Sequence, residues 1–227
     1  MNSNSSSRRW LIAIDGPSGA GKGTIARAVA RRLNYRHIDT GAMYRAVAWK
    51  AVQEKLDLSD EDAVAALASR ISIDVGDGMI AVDGHDVRTA IRTPEMDAAA
   101  AAVARQPRVR QILIAQQREI GAGGGVVMEG RDIGTTVFPE ADVKVYLDAD
   151  PDERARRRAH DAAHASGRTG AAVQEVASAL AARDRSDTTR TVSPLVKAED
   201  AVLIDTTGVP IDEVVERVMA LIHERGK

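Results

Sequence analysis

The chain has 227 residues, of which 44% are hydrophobic, a formal net charge of −2 and no cysteine. That length suits one α/β domain with a small insert, and the near-neutral charge gives no overall pull toward nucleic acid or a membrane surface. Without cysteine, disulfides, thiolate catalysis and cysteine metal sites are excluded. No run approaches the roughly 18–20 apolar residues that a membrane-spanning helix requires, so a cytoplasmic protein is expected.

Met1 to Arg9 is rich in Ser and Asn, lacks the apolar stretch of a secretory signal, and reads as a frayed tail. Trp10 to Ile14 is almost uniformly apolar, the pattern of a buried parallel strand. Asp15 to Gly23 is a glycine-rich turn. Thr24 to Leu33 predicts a helix, with Ile25, Val29 and Leu33 at four-residue spacing. From Ile71 to Val87 the rhythm changes. Ile71, Ile73 and Val75 alternate with polar residues, Gly76 to Gly78 turns, and Met79 to Val82 returns, which predicts an inserted hairpin. The alanine run Ala98–Ala102 needs nothing more than a helix. Then follow a helix over Arg108–Ile120, strands at Val126–Met128 and Val143–Leu147, helices over Asp152–His164 and Ala172–Arg183, a strand at Ala201–Ile204 and a helix over Ile211–His223. Strands alternating with helices predict a parallel sheet covered on both faces. Aromatics make up only 3% of the chain, so the core must be built largely from Ala, Val, Ile and Leu.

The first chemical motif is Gly16-Pro17-Ser18-Gly19-Ala20-Gly21-Lys22-Gly23-Thr24. It follows an apolar strand and opens a helix, the context that a phosphate-cradling loop requires. Glycines let several backbone N–H groups converge on phosphate oxygens, the helix start adds positive potential, and Lys22 brings a full charge to the transferring phosphate. Gly23 stands directly after the lysine and the hydroxyl comes one place later at Thr24, so no residue is assigned to Mg²⁺.

Four further clusters carry charge. In Asp39–Arg45, the residues Thr40, Tyr44 and Arg45 are candidates to hold an anionic group near a helix start. Glu129-Gly130-Arg131-Asp132-Ile133-Gly134 follows a buried strand, at the carboxyl end where open α/β sheets bind ligands. Asp150 caps a helix with Pro151 in its first position, and Glu153 completes a capping box. Arg154, Arg157 and Arg158 then share one helical face, which costs repulsion unless something anionic meets it. Without nucleotide this face is expected to be exposed to solvent, and Gly167 and Gly170 are candidate hinges for a lid over the phosphates. Arg183–Arg190, ahead of Ser193-Pro194, reads as another charge-dense loop. His160 and His164, at helical spacing, read as exposed surface. No aromatic interleaves the arginines, so no nucleic-acid partner is expected.

Together these motifs resemble the bacterial cytidylate kinases, over nearly the whole chain from about Leu11 to Ile222. The loop with Lys22-Gly23-Thr24 is shared by many nucleoside monophosphate kinases. More specific are Asp39–Arg45, Ile91–Glu95, Pro107–Arg110, Gly130–Gly134 and the stretch from Arg183 through Pro194. The resemblance implies an α/β P-loop kinase fold in one domain, with a β-containing nucleotide-binding insert at about residues 63–110 and a helical lid at about 152–170. It implies ATP and Mg²⁺ as cofactors, and a monomer acting on CMP and dCMP. Arg110 and Asp132 would then read cytosine, Arg45, Arg131 and Arg190 would hold the acceptor phosphate, and Arg183 and Asp187 the sugar. Lys22, Arg131, Arg154 and Arg158 would serve the transfer, with Arg157 on ATP. The chain departs from the family at Ala101, where a serine ordinarily meets the base.

Chemistry supports this inventory. Cytosine offers an amino donor beside two acceptors, which an aspartate and an arginine match. A phosphate monoester loses its second proton near pH 6, so the acceptor oxygen needs no strong base, only positioning and cations. A kinase for UMP or another small acceptor, and an ATP-binding switch without catalysis, are the competing readings. A regulatory GTPase is excluded, because none of Asn2, Asn4 and Asn34 is followed by lysine.

Overall fold

The computed structural model describes residues 9–160 and 170–226. Five parallel strands form the central sheet in the order β2-β6-β1-β7-β8: β1 (Leu11–Asp15), β2 (Arg36–Asp39), β6 (Val126–Glu129), β7 (Val143–Asp148) and β8 (Val202–Asp205). β1 lies in the middle with neighbours on both edges, and all five of its residues are buried. That is why Leu11–Asp15 carries no solvent-facing alternation. α1 (Lys22–Leu33) and α8 (Ile211–Arg225) cover one face, where Ile12, Ile14 and Val145 meet Ile25, Val29, Val218 and Ile222. The other face, with Ala13, Ile38 and Met128, is closed by a π-helical turn at Ile133–Val137 and by side chains of α5 (Pro107–Gly121).

A second core lies beside the sheet. α2 (Thr40–Gln53), α3 (Glu61–Arg70), α4 (Pro94–Val103) and α5 bury Met43, Val47, Leu67, Val103 and Leu113 against one another. A three-stranded antiparallel sheet, β3 (Ile73–Gly76), β4 (Met79–Val82) and β5 (His85–Asp86), contributes Ile80 and Val82. Both of its turns are Asp-Gly pairs with positive φ, at Asp77-Gly78 (50° and 81°) and Asp83-Gly84 (50° and 78°). Two consecutive left-handed residues match the twist of tight hairpins. Asp77 also hooks the hairpin onto the main sheet: its N–H donates to the His37 carbonyl at 3.0 Å, and its carboxylate accepts from the His37 N–H at 3.1 Å.

The structure departs from the sequence expectations in several places. The hairpin turn is confined to Asp77-Gly78, since Gly76 pairs with Met79. β2, with the polar sequence Arg-His-Ile-Asp, was not expected as a strand; it is short and paired with β6 alone. α7 (Gly170–Thr189) runs through the expected loop at Arg183–Arg190, because nothing from 183 to 189 breaks a helix. The capping box at Glu153 is half formed. Asp150 accepts from the N–H of Asp152 at 2.9 Å, but the Glu153 carboxylate turns to Arg156 and Arg157 instead. α6 spans Pro151–His160. The expected helix end at His164 and the hinge at Gly167 lie outside the described residues, whereas Gly170 opens α7.

The loop between β1 and α1 turns on Gly16, whose φ is +143°. A side chain there would also overlap the Leu147 carbonyl of β7. Gly16→Ala is therefore expected to lower the free energy of unfolding by about 2–3 kcal/mol, measured as a reduced urea midpoint at unchanged slope.

Candidate active site

A cleft of about 910 Å³ opens at the carboxyl ends of the sheet strands. The loop after β1 forms one wall. Gly21 caps α1 in a left-handed conformation without a side-chain acceptor, and no acidic residue occupies the first turn. The helix start is thus an open positive end, with backbone N–H groups available to an anion. Lys22 is buried and folds back, its Nζ donating to the Pro17 carbonyl at 2.6 Å. Burial, and then the nearby Arg131, push its ammonium down to about 7. A phosphate would relieve that cost by adding counter-charge to that of Glu129 and Asp15.

At the end of β1 the Asp15 carboxylate accepts from the N–H of Ile133 at 2.8 Å and of Gly134 at 2.7 Å. Burial raises its pKa to about 6 against the pull of those two bonds. Asp15 thereby ties the strand that carries the phosphate loop to the turn that carries Asp132. Glu129, last in β6, lines the cleft beside Gly23, and its carboxylate lies 2.9 Å from His37 Nε2. The Thr40 hydroxyl donates to the Glu129 carbonyl at 2.8 Å, so Thr40 lines the cleft while bracing β6.

The far end of the cleft holds a buried polar cluster. Arg110 Nη2 donates to Asp132 Oδ2 at 2.5 Å, and both side chains are under a tenth exposed. The guanidinium stacks 5.4 Å over the Tyr44 ring, whose hydroxyl burial pushes up to about 12. Arg190 reaches the other Asp132 oxygen at 3.5 Å and donates to the Ser193 carbonyl at 2.5 Å. Arg131 Nε donates to Asp187 at 3.0 Å. Arg183 and Asp187 sit one turn apart on α7, which sends both side chains into the cleft. Burial, then Arg131 and Arg45, lower the Arg183 guanidinium to about 10.

Most of the residues singled out from sequence line this one cleft: Gly19, Ala20, Gly21, Lys22, Gly23, Thr24 and Ser18 at one end, and Thr40, Tyr44, Arg45, Arg110, Arg131, Asp132, Arg157, Arg158, Arg183, Asp187 and Arg190 around the rest. Gly16 and Pro17 support the loop from behind, outside that lining. The expected exposed arginine face is corrected. Arg154 is buried, donating to the Ala149 carbonyl at 3.0 Å and the Ser18 carbonyl at 3.2 Å and pairing with Asp184. It packs α6 against the phosphate loop. Arg157 turns to Thr206, with bonds of 2.9 and 2.6 Å, and Arg158 to Asp97. Carboxylates and carbonyls thus take up the repulsion that the sequence left unanswered. Sequence reasoning missed Glu129 and Arg92 as cleft residues, although both stand inside quoted motifs. It also missed Asp97, the one charge just before an alanine run, and Thr206, which no pattern marks.

A phosphate loop at the head of a parallel sheet, facing a ring of guanidiniums, defines a P-loop kinase. A family model described as cytidylate kinase matches residues 12–224, and the chain belongs to that family. A cytidylate kinase of Solibacter usitatus is 46% identical over 96% of this chain and 94% of its own. One of Geobacillus kaustophilus is 46% identical over 96% and 98%. Among solved structures, a gluconokinase from Sinorhizobium meliloti aligns with a TM-score of 0.51 at 17% identity, over 96% of this chain and 94% of that one, a likeness of fold alone.

Arg110→Met should lower the free energy of unfolding by about 3 kcal/mol in urea titration, since it leaves the buried Asp132 carboxylate only the longer Arg190 contact at 3.5 Å.

Proposed function

We propose that the chain transfers the γ-phosphoryl group of ATP to CMP and dCMP, giving the diphosphates. The observation that carries this reading is the buried Arg110–Asp132 pair, set across the cleft from a helix start without a side-chain cap and from its lysine. Arg110 Nε is buried without a hydrogen-bond partner among the described residues, a donor positioned for an incoming acceptor. Cytosine supplies that acceptor, together with an amino group for Asp132. Uracil would set a carbonyl against the carboxylate, a mismatch of about 1–3 kcal/mol, or roughly ten- to a hundred-fold in discrimination.

In this reading the helix start and Lys22 hold the ATP phosphates, and Arg157 with Thr206 flanks the donor. Arg45, Arg131 and Arg190 hold the acceptor phosphate, and Arg183 and Asp187 meet the sugar. Arg158, facing the same space from α6, belongs to a lid over the donor; Arg154 serves by fixing that helix to the loop. The acceptor oxygen is already deprotonated at neutral pH, so the residues act by aligning it and spreading positive charge over the transferring group. Glu129 and Thr24, which line the cleft beside the loop, would offer hard oxygens to Mg²⁺, the donor type this ion prefers. The ion would supply additional neutralisation of the phosphate charge.

Turnover with ATP and a panel of CMP, dCMP, UMP and AMP tests the reading, with CMP and dCMP expected to lead; a preference for UMP or AMP would overturn it. Lys22→Ala is expected to lower kcat at least about a hundred-fold while far-UV dichroism stays unchanged. Asp132→Asn adds a donor beside the base, and should narrow the ratio of kcat/KM for CMP over UMP. An unchanged ratio would place base recognition elsewhere.

A further inference from the structure

We infer that Asp97 is a positioning residue that stands in for a phosphate, holding arginines from three other helices together until an anionic substrate displaces it. Asp97 sits in the first turns of α4, directly before the alanine run, so it is the one carboxylate which that stretch projects toward the cleft arginines. Its Oδ1 accepts from Arg45 Nε of α2 at 3.0 Å and lies 3.5 Å from Arg183 Nη1 of α7. Its Oδ2 pairs with Arg158 of α6. Each of these side chains is under a quarter exposed, so screening by water is incomplete. Burial alone would push the Asp97 carboxyl up, yet Arg45, Arg158 and Arg183 bring it down to about 2. It is therefore an anion throughout the physiological range.

Asp97 is shared by three guanidiniums; Asp39 also acts on Arg45 and Asp187 on Arg183, yet Arg183 keeps a buried Nε without a hydrogen-bond partner among the described residues. A phosphate, with more charge and three terminal oxygens, serves the same guanidiniums better than a carboxylate does. Asp97 thus prevents the arginines from repelling one another in the empty cleft, and competes with the phosphate that replaces it. It also ties α6 to α4 across the cleft mouth while no nucleotide is bound. This inference rests on the reading above that these arginines face phosphate groups.

The sign of the effect separates this role from a structural one. Losing a structural ion pair weakens ligand binding, whereas losing a competing anion strengthens it. Asp97→Asn and Asp97→Ser are titrated by calorimetry with CMP and, separately, with inorganic tripolyphosphate, alongside Asp97→Glu as the rescue of charge. The expected result is a Kd lower by about three- to tenfold in the Asn and Ser variants, with Glu returning to the wild-type value. KM for CMP should fall in parallel while kcat does not rise. Unchanged or weaker anion binding in Asn and Ser variants that unfold at the wild-type urea midpoint would overturn the inference. A wild-type chain that binds tripolyphosphate but not CMP would sink the acceptor reading instead, and the tripolyphosphate ratio would still decide the role of Asp97.

Discussion

Positive charges confined to a half-buried cleft repel one another, and the architecture around this site answers that repulsion residue by residue. Arg110 has Asp132, Arg131 has Asp187, Arg154 has Asp184, and Arg45 has Asp97. The partners come from different elements: the turn after β6, the C-terminal end of α7, and α4. Each pair therefore fastens two parts of the fold together as it neutralises a charge. This explains how a chain with a net charge of −2 can concentrate so many arginines at one place. Asp132 and Asp187 line the cleft themselves, while Asp97 and Asp184 pair from beside it, so these carboxylates set geometry as well as charge.

The same arrangement gives the cleft two unlike ends. At the open end the start of α1 presents backbone N–H groups beside Lys22. The other end is closed, and its Arg110, Asp132 and Arg190 side chains are buried against one another. Buried donors and acceptors penalise the wrong partner more than exposed ones, because an unmatched group cannot fall back on water. Asp15 joins the two ends through the N–H groups of Ile133 and Gly134, so the phosphate loop and the turn bearing Asp132 are held in a fixed relation.

Much of this was legible in the sequence, for identifiable reasons. β1, β6 and β7 are flanked by other strands; the apolar runs of β1 and β6 say so, and Val143, Val145 and Leu147 mark β7 despite Lys144 between them. The Gly16–Thr24 loop announces itself because its backbone geometry admits few alternatives to glycine. β2 was invisible, since a polar edge strand has no apolar run to show. The helical continuation through Arg183–Arg190 was hidden by its charges, which suggest solvent when read along the chain and prove to be cleft contacts in three dimensions. The arginine face on α6 was located correctly, but its burial depended on Asp97, Asp184 and Thr206, which lie far off in sequence. Pairings over such separations leave no local periodicity.

The hook between Asp77 and His37 bears on solubility. A parallel sheet that is not closed into a barrel ends in two strands whose outward N–H and C=O groups invite pairing with another chain. At β2 the outward groups of His37 are both consumed by Asp77, one by its backbone and one by its carboxylate. The inserted hairpin thus seals one border of the sheet using a single residue. A chain lacking that turn would present β2 as a free template for strand addition, so this insert also guards the fold against association with its own copies.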